Sequence, residues 1–405
     1  MIWEIAWKNI WRNRTRSLVI ILAMTVGMFG GIFASSLLRG MFGQRIENAL
    51  NLELPHIEIS KKSFTQNNDI LLQINNADEQ VSQIEQIAGI KTVSKRICVT
   101  SMISTPHNSL GITAYGVDPE KERDIFDLHK TIPDSLGGFL STEKSNTIVM
   151  SQKLAEKLKI RWKSKSVLTL QSADEELVGG AFKVEGLYKT NNSAMDESTV
   201  FLNKQDLADL VGINENSCHQ IIIRLTEEGN VQEIKDKIVA IVGGDYDVRM
   251  WSEIRPDVGM MIDLMEMMST LILGIILIAL GFSIANTMFM VVLERTKELG
   301  MLMAIGMSKT RVFIMVLLET LMLTLLGAVI GIVLSNLVIT YFSKAGLNLQ
   351  GADYSKLGMD TLIYPTLTLS DYGTIGFLVF LTGLLAAIFP ACKALKVNPA
   401  EVVRN

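Results

Sequence analysis

Cysteine, proline and histidine are all scarce in this 405-residue chain, which has three Cys, eight Pro and four His. Cys98, Cys218 and Cys392 are too few for a disulfide framework, although Cys98 and Cys218 share one segment and could pair. So few prolines, beside 48% hydrophobic residues, exclude a disordered or collagen-like polymer. His56, His107, His129 and His219 lack ligand spacing, and His-Glu-x-x-His and paired Cys-x-x-Cys are missing, so no metal site is expected. Gly-x-Ser-x-Gly is missing as well. The nearest approach to a phosphate-binding Gly-x4-Gly-Lys-Ser/Thr loop places Met307-Ser308-Lys309 after Gly306, which breaks the spacing. The chain is therefore expected to be non-catalytic, with no cofactor of its own. A net charge of −4 without a basic cluster points away from nucleic acid.

What the sequence does have is hydrophobicity gathered into four runs. Residues 17–38, 267–293 and 372–392 contain no Asp, Glu, Lys or Arg, and residues 312–342 contain a single charge, Glu319. Each run is longer than the roughly 18–20 residues that cross a hydrocarbon core. The first follows Lys8, Arg12, Arg14 and Arg16 but is too long for a cleavable signal segment and lacks an Ala-x-Ala site, so it reads as a retained span. The expected fold is four transmembrane helices with a large mixed α/β extracytoplasmic domain inserted between the first and second.

The basic residues orient this arrangement. Segments 1–16, 294–311 and 393–405 together hold 11 Lys/Arg, whereas the loop 343–371 holds two. The positive-inside rule then places both termini in the cytoplasm and the insert, 39–266, outside it. That insert is acidic, with 24 Lys/Arg against 33 Asp/Glu between Gly40 and Asp263.

Within the insert, residues 56–60 alternate like a half-buried strand and 81–88 carry helical spacing. Residues 93–105 and 109–117 read as a hairpin around Pro106-His107-Asn108. Strands are expected at 147–150, 166–170, 182–188 and 219–225, with a helix at 151–158. At the junctions, Leu38, Phe42, Ile46 and Ala49/Leu50 recur at helical spacing, as do Met261, Leu264, Met265 and Met268. Both adjoining spans are therefore expected to continue outward as amphipathic stalks. The plain expectation is mutual packing, or packing on a partner subunit; the sharper one is that the methionine-rich stripe offers an adaptable surface to acyl chains.

Glu319 is an intramembrane carboxylate close to one end of its run. It can serve structurally, reaching the interface or an interhelical donor; a proton carrier normally offers several such groups. Between the second and third runs, Leu299, Leu302, Met303 and Ile305 give a short helix an apolar face, with Gly306 placed to end it. Such a helix suits docking into a groove on another protein.

That loop resembles the coupling helix of the FtsX/MacB-type ABC transporter permeases, which opens Glu-Arg-Thr-Lys-Glu-Ile-Gly and continues Arg-Ala-Ile-Gly. The corresponding residues here are Glu294, Arg295, Thr296, Lys297, Glu298, Leu299 and Gly300, then Met303, Ala304, Ile305 and Gly306. The basic segment from Ala6 to Arg16 is similar to the family's amphipathic helix before the first span, and Pro390 to Arg404 is similar to its Pro-Ala...Asn-Pro-x-Glu ending. One departure is visible, because Leu154-Ala-Glu-Lys-Leu158 is followed by Lys159-Ile-Arg-Trp rather than by a Gly-Asp turn.

The resemblance implies a mechanotransmission permease of the bacterial inner membrane. Glu294, Arg295, Lys297, Glu298, Gly300, Ala304 and Gly306 would couple it to two copies of a cytoplasmic ATPase holding ATP and Mg, beside a second permease protomer in a homo- or heterodimer. Segments 54–59 and 248–256 look most like the lipoprotein-releasing LolC/LolE branch. This implies lipoprotein substrates, a periplasmic carrier and acyl-chain contacts at Phe42, Ile46, Met261, Leu264, Met265 and Met268. A MacB-like efflux permease and an FtsX-like regulator of cell-wall hydrolases are the alternatives, the first disfavoured by the absence of a fused ATPase and the second by the large outer domain.

Overall fold

The computed structural model describes residues 2–12, 14–190, 192–226, 231–348 and 362–395. These fall into two units with separate cores, one comprising residues 2–43, 263–348 and 362–395 and the other the residues between 44 and 262. The last ten residues of the tail 393–405, with the Asn-Pro-x-Glu ending, and residues 349–361 of the loop 343–371 lie outside the described residues.

Four long apolar helices build the first unit: Arg14–Leu52, Pro256–Glu294, Lys309–Ala345 and Leu369–Ala394. Two of them extend well past their apolar runs, the first to Leu52 and the second from Pro256. Buried residues recur every fourth position, at Ile20, Met24, Met28 and Ile32 and again at Leu280, Ile284, Met288 and Val292, so that each helix turns one stripe into a shared core. With no hydrophobic drive between helices in lipid, close packing has to hold such a bundle. Here Gly327 and Gly331, spaced four apart on the third helix, lie against Met24 and Met28 of the first; a Cβ on Gly331 would sit 2.7 Å from that of Met28. Thr25 Oγ1 also donates to the Gly327 carbonyl at 3.2 Å. A shorter helix, Ile2–Arg12, buries Ala6 and Ile10 in the same core and exposes Trp3, Trp7 and Trp11.

Among the described residues the inserted domain contains nine strands: β1 (Ile57–Lys61), β2 (Ile90–Ser104), β3 (Ser109–Val117), β4 (Thr147–Ser151), β5 (Lys165–Gln171), β6 (Leu177–Tyr188), β7 (Thr199–Asn203), β8 (Gln220–Leu225) and β9 (Tyr246–Met250). Their order is β3-β7-β4-β6-β5-β2-β8-β1-β9, with β3 also paired to β2. The fifteen-residue β2 therefore serves two sheets. Its first half, from Ile90 to Arg96, pairs with β8, and its second, from Ile97 to Ser104, pairs with β3. On one side β2-β8-β1-β9 is wholly antiparallel and covered by helices Ala77–Ile84 and Val231–Val242, a split β-α-β layer with its own core. On the other, β3-β7-β4-β6-β5-β2 closes on itself around a second core shared with helices Gln152–Leu158 and Lys204–Val211.

Several expectations shift. The helix expected at 81–88 is Ala77–Ile84, because Ala77, Val81 and Ile84 form its buried face and the chain turns before Gly89, which has φ +97°. At the missing Gly-Asp turn, Lys159 itself takes the left-handed position after the helix, with φ 54°. Cys98 and Cys218 are both free and buried, and burial pushes each thiol up to about 12.

Candidate coupling site

The second long helix ends at Glu294, and Arg295 leaves helical geometry with φ −95° and ψ 12°. Thr296 fixes this break, its Oγ1 donating to the Leu293 carbonyl at 2.6 Å. The short helix Thr296–Ala304 follows, and Gly306, with φ +104°, closes it. There the Gly306 and Met307 amides bond the Met303 and Leu302 carbonyls at 3.1 and 3.0 Å, satisfying groups a helix end leaves open. The short helix has two unlike faces. Leu299 and Gly300 are buried against the membrane core, whereas Lys297, Glu298, Met301, Ala304, Ile305 and Gly306 are exposed, Ile305 to 79%.

A run of alternating charges holds this helix in place. Arg295 Nη1 donates to both Glu319 oxygens, at 3.0 and 3.1 Å, in a pair whose side chains are 11% and 7% exposed. Arg295 Nε also donates to Glu298 at 3.1 Å, and Glu298 accepts from Arg12 as well. Arg12 and Arg295 hold the Glu298 carboxyl below the usual range, with partial burial opposing them. The chain Arg12–Glu298–Arg295–Glu319 thus joins the N-terminal helix, the short helix and the third long helix. Glu319 is expensive alone in lipid but has found an interhelical donor.

The residues named from sequence are brought together only in part. Arg295, Glu298 and Glu319 interact directly; Glu294, Lys297 and Ala304 are exposed beside them. Among the stalk residues, Ile46 packs on the cluster Ala49, Leu50, Leu54 and Val258. Phe42 is buried, Met261 and Met265 are half-buried, and Leu264 and Met268 are exposed. Two features escaped the sequence reading. Gly327 and Gly331 stand in plain Gly-x-x-x-Gly spacing, a usable signal. The second is the Arg39–Asp371 ion pair at 2.9 Å, for which sequence gives no signal beyond charges at the edges of two spans.

The chain is a multi-pass membrane protein with four long apolar helices and a mixed α/β domain between the first two. The match to the MacB-like periplasmic core domain covers residues 17–241, more than half of the chain, and the FtsX-like permease C-terminal domain matches 270–399. The chain belongs to the FtsX/MacB-type ABC transporter permeases, the non-catalytic membrane subunits of such systems. It is 25% identical to an uncharacterized ABC transporter permease of Methanocaldococcus jannaschii, over 55% of each chain. It is 28% identical to the macrolide export ATP-binding/permease protein MacB of Campylobacter fetus, over 55% of this chain and 33% of that protein. It is 18% identical to the lipoprotein-releasing system transmembrane protein LolC of Xylella fastidiosa, over 55% of each chain. The matched region thus spans about half the length of these relatives, or less. Among solved structures, the periplasmic region of MacB from Actinobacillus actinomycetemcomitans matches at TM-score 0.37 and 10% identity, covering 53% of this chain and 98% of that one.

Proposed function

We propose that this permease is the moving membrane part of a mechanotransmission ABC system, with a separate ATPase subunit docked on the exposed face of the Thr296–Ala304 helix. The observation that carries this reading is the division of that helix: Leu299 and Gly300 root it in the membrane core, while Met301 and Ile305 present bare apolar side chains. ATP and Mg belong to the partner in this reading, two copies of which serve two permease protomers. Both termini and the docking helix lie on the cytoplasmic side of the inner membrane, as the excess of Lys and Arg in those segments supports. Replacing Met301 and Ile305 together by Glu should remove the ATPase from the purified permease without lowering its yield; undiminished retention of the ATPase contradicts the reading.

For the substrate we favour lipoprotein release, with acyl chains meeting Phe42, Ile46, Met261, Leu264, Met265 and Met268 before transfer to a periplasmic carrier. The similarity to LolC and the exposed apolar Leu264 and Met268 support this. Export of a small hydrophobic compound is the second reading, favoured by the higher identity to MacB. Depletion separates them: accumulation of inner-membrane lipoproteins supports release, and normal sorting with altered compound export supports the second.

A further inference from the structure

The inserted domain holds a cavity of about 300 Å³ whose wall carries four charged side chains with unused hydrogen-bonding atoms. Leu52 to Pro55 and Ile254–Arg255, the segments by which the chain enters and leaves the domain, form one part of the wall; Thr113, Tyr115 and Phe201 on the sheet form another. Glu53, Glu58 and Arg96 line it, with side chains that are nine-tenths buried, together with the half-buried Arg255.

Each of these groups is only partly used. Arg96 spends Nε and Nη2 on Glu122, and Arg255 spends the same two nitrogens on Asp257 at 2.8 Å each. Among the described residues neither Nη1 makes a hydrogen bond; that of Arg255 stops 3.8 Å from Glu53. Glu58 gives one oxygen to Arg249 at 2.6 Å, and Glu53 gives one to Asn192 at 2.5 Å. The other Glu53 oxygen lies 3.7 Å from Arg45, too far for a hydrogen bond. Gln220, 7% exposed and on the same wall, has no hydrogen bond to its amide among the described residues. Buried polar groups usually use their hydrogen-bonding capacity, and several part-used donors and acceptors around one space suit a polar occupant. Burial pushes the Glu53 carboxyl up, as expected of a carboxylate whose cations stand back from it.

Both signs are unspent on one small wall, and the stacked Tyr115 and Phe201 rings, 5.8 Å apart, add aromatic surface beside the carboxylates. We propose that this cavity binds a small zwitterion of amino-acid to dipeptide size, its ammonium on Glu53 and Glu58 and its carboxylate on the free nitrogens of Arg96 and Arg255. The volume falls at the lower end for small-molecule sites. The occupant touches both segments that connect the domain to the rest of the chain, so it would stiffen them. The site stands independently of the substrate and coupling readings above.

Full-length protein in detergent, titrated with glycylglycine by calorimetry, should show saturable binding. N-acetylglycylglycine, which lacks the ammonium, and glycylglycinamide, which lacks the carboxylate, should each bind at least tenfold more weakly. Ser198→Phe, at an exposed position on the cavity wall, should block binding with the thermal transition unchanged. Absence of saturable glycylglycine binding, which would mean water alone fills the cavity, overturns the proposal. So does binding of either capped dipeptide as tight as that of glycylglycine, or undiminished binding by the Ser198→Phe protein.

Discussion

Two of the buried Arg–Glu pairs among the described residues, Arg96–Glu122 and Arg295–Glu319, are built for different ends. In the inserted domain, Arg96 and Glu122 close on each other within one fold, and Arg96 also lies 4.7 Å from the Phe126 ring centre and 5.3 Å from that of Tyr115. Glu122, Phe126 and Tyr115 all belong to the same domain as Arg96. In the membrane unit, Arg295 stands at the break before the short helix and Glu319 on the third long helix, and the run of charge continues outward to the exposed Glu298 and Arg12. A pair that ends within a core fixes a shape; one that leads from a core to a surface helix can pass displacement inward. That contrast is the basis for reading Arg295–Glu319 as part of the coupling path.

The contrast can be broken at its structural end first. Glu122→Ala leaves the Arg96 guanidinium buried without its carboxylate and should cost about 3–5 kcal/mol of domain stability, read from chemical denaturation. A loss no larger than a surface change, about 0.5 kcal/mol, would remove the distinction. The next effect depends on pH. Burial lowers His56 to about 4, and its Nδ1 accepts from the Leu225 amide at 2.8 Å, so the folded domain keeps this ring neutral. The unfolded chain binds the proton near 6.5, so stability is fully present above that value and falls as pH drops toward 4, by at most about 3 kcal/mol. Unfolding followed at pH 7.5 and pH 5 checks it, with His56→Gln flattening the dependence. Gly331→Leu forces the first and third helices apart and should lower the stability of the membrane unit by about 1–3 kcal/mol, seen as earlier thermal aggregation in detergent. The smallest stability change, within about 0.5 kcal/mol, belongs to Met301→Glu with Ile305→Glu, whose effect is on partner retention alone.

How much of this was readable in sequence follows from the range of each interaction. The four long apolar helices follow from local composition; on the short helix, Leu299 is buried and Leu302 and Met303 are half-buried as an apolar face requires, but Ile305 lies past the helix end and is exposed. β2 was legible as a hairpin strand, but its division between two sheets was not, because β8 pairs with it from more than a hundred residues away. The strand β7, at Thr199–Asn203, is buried throughout and too short to alternate visibly. At the site, sequence placed Arg295 and Glu319 on adjoining elements and stopped there. Whether the carboxylate met a donor, lipid or water depended on helix rotation, which close contacts such as Gly331 on Met28 decide.

The proposal that the Arg295–Glu319 pair would carry motion between a docked ATPase and the membrane helices is tested most directly by permease-dependent ATPase turnover in charge-altered variants. Glu319→Gln and Arg295→Gln should each leave the ATPase bound while reducing permease-dependent turnover by about tenfold, and the exchanged pair Arg295→Glu with Glu319→Arg should recover part of it. Full turnover in both single variants would contradict the account.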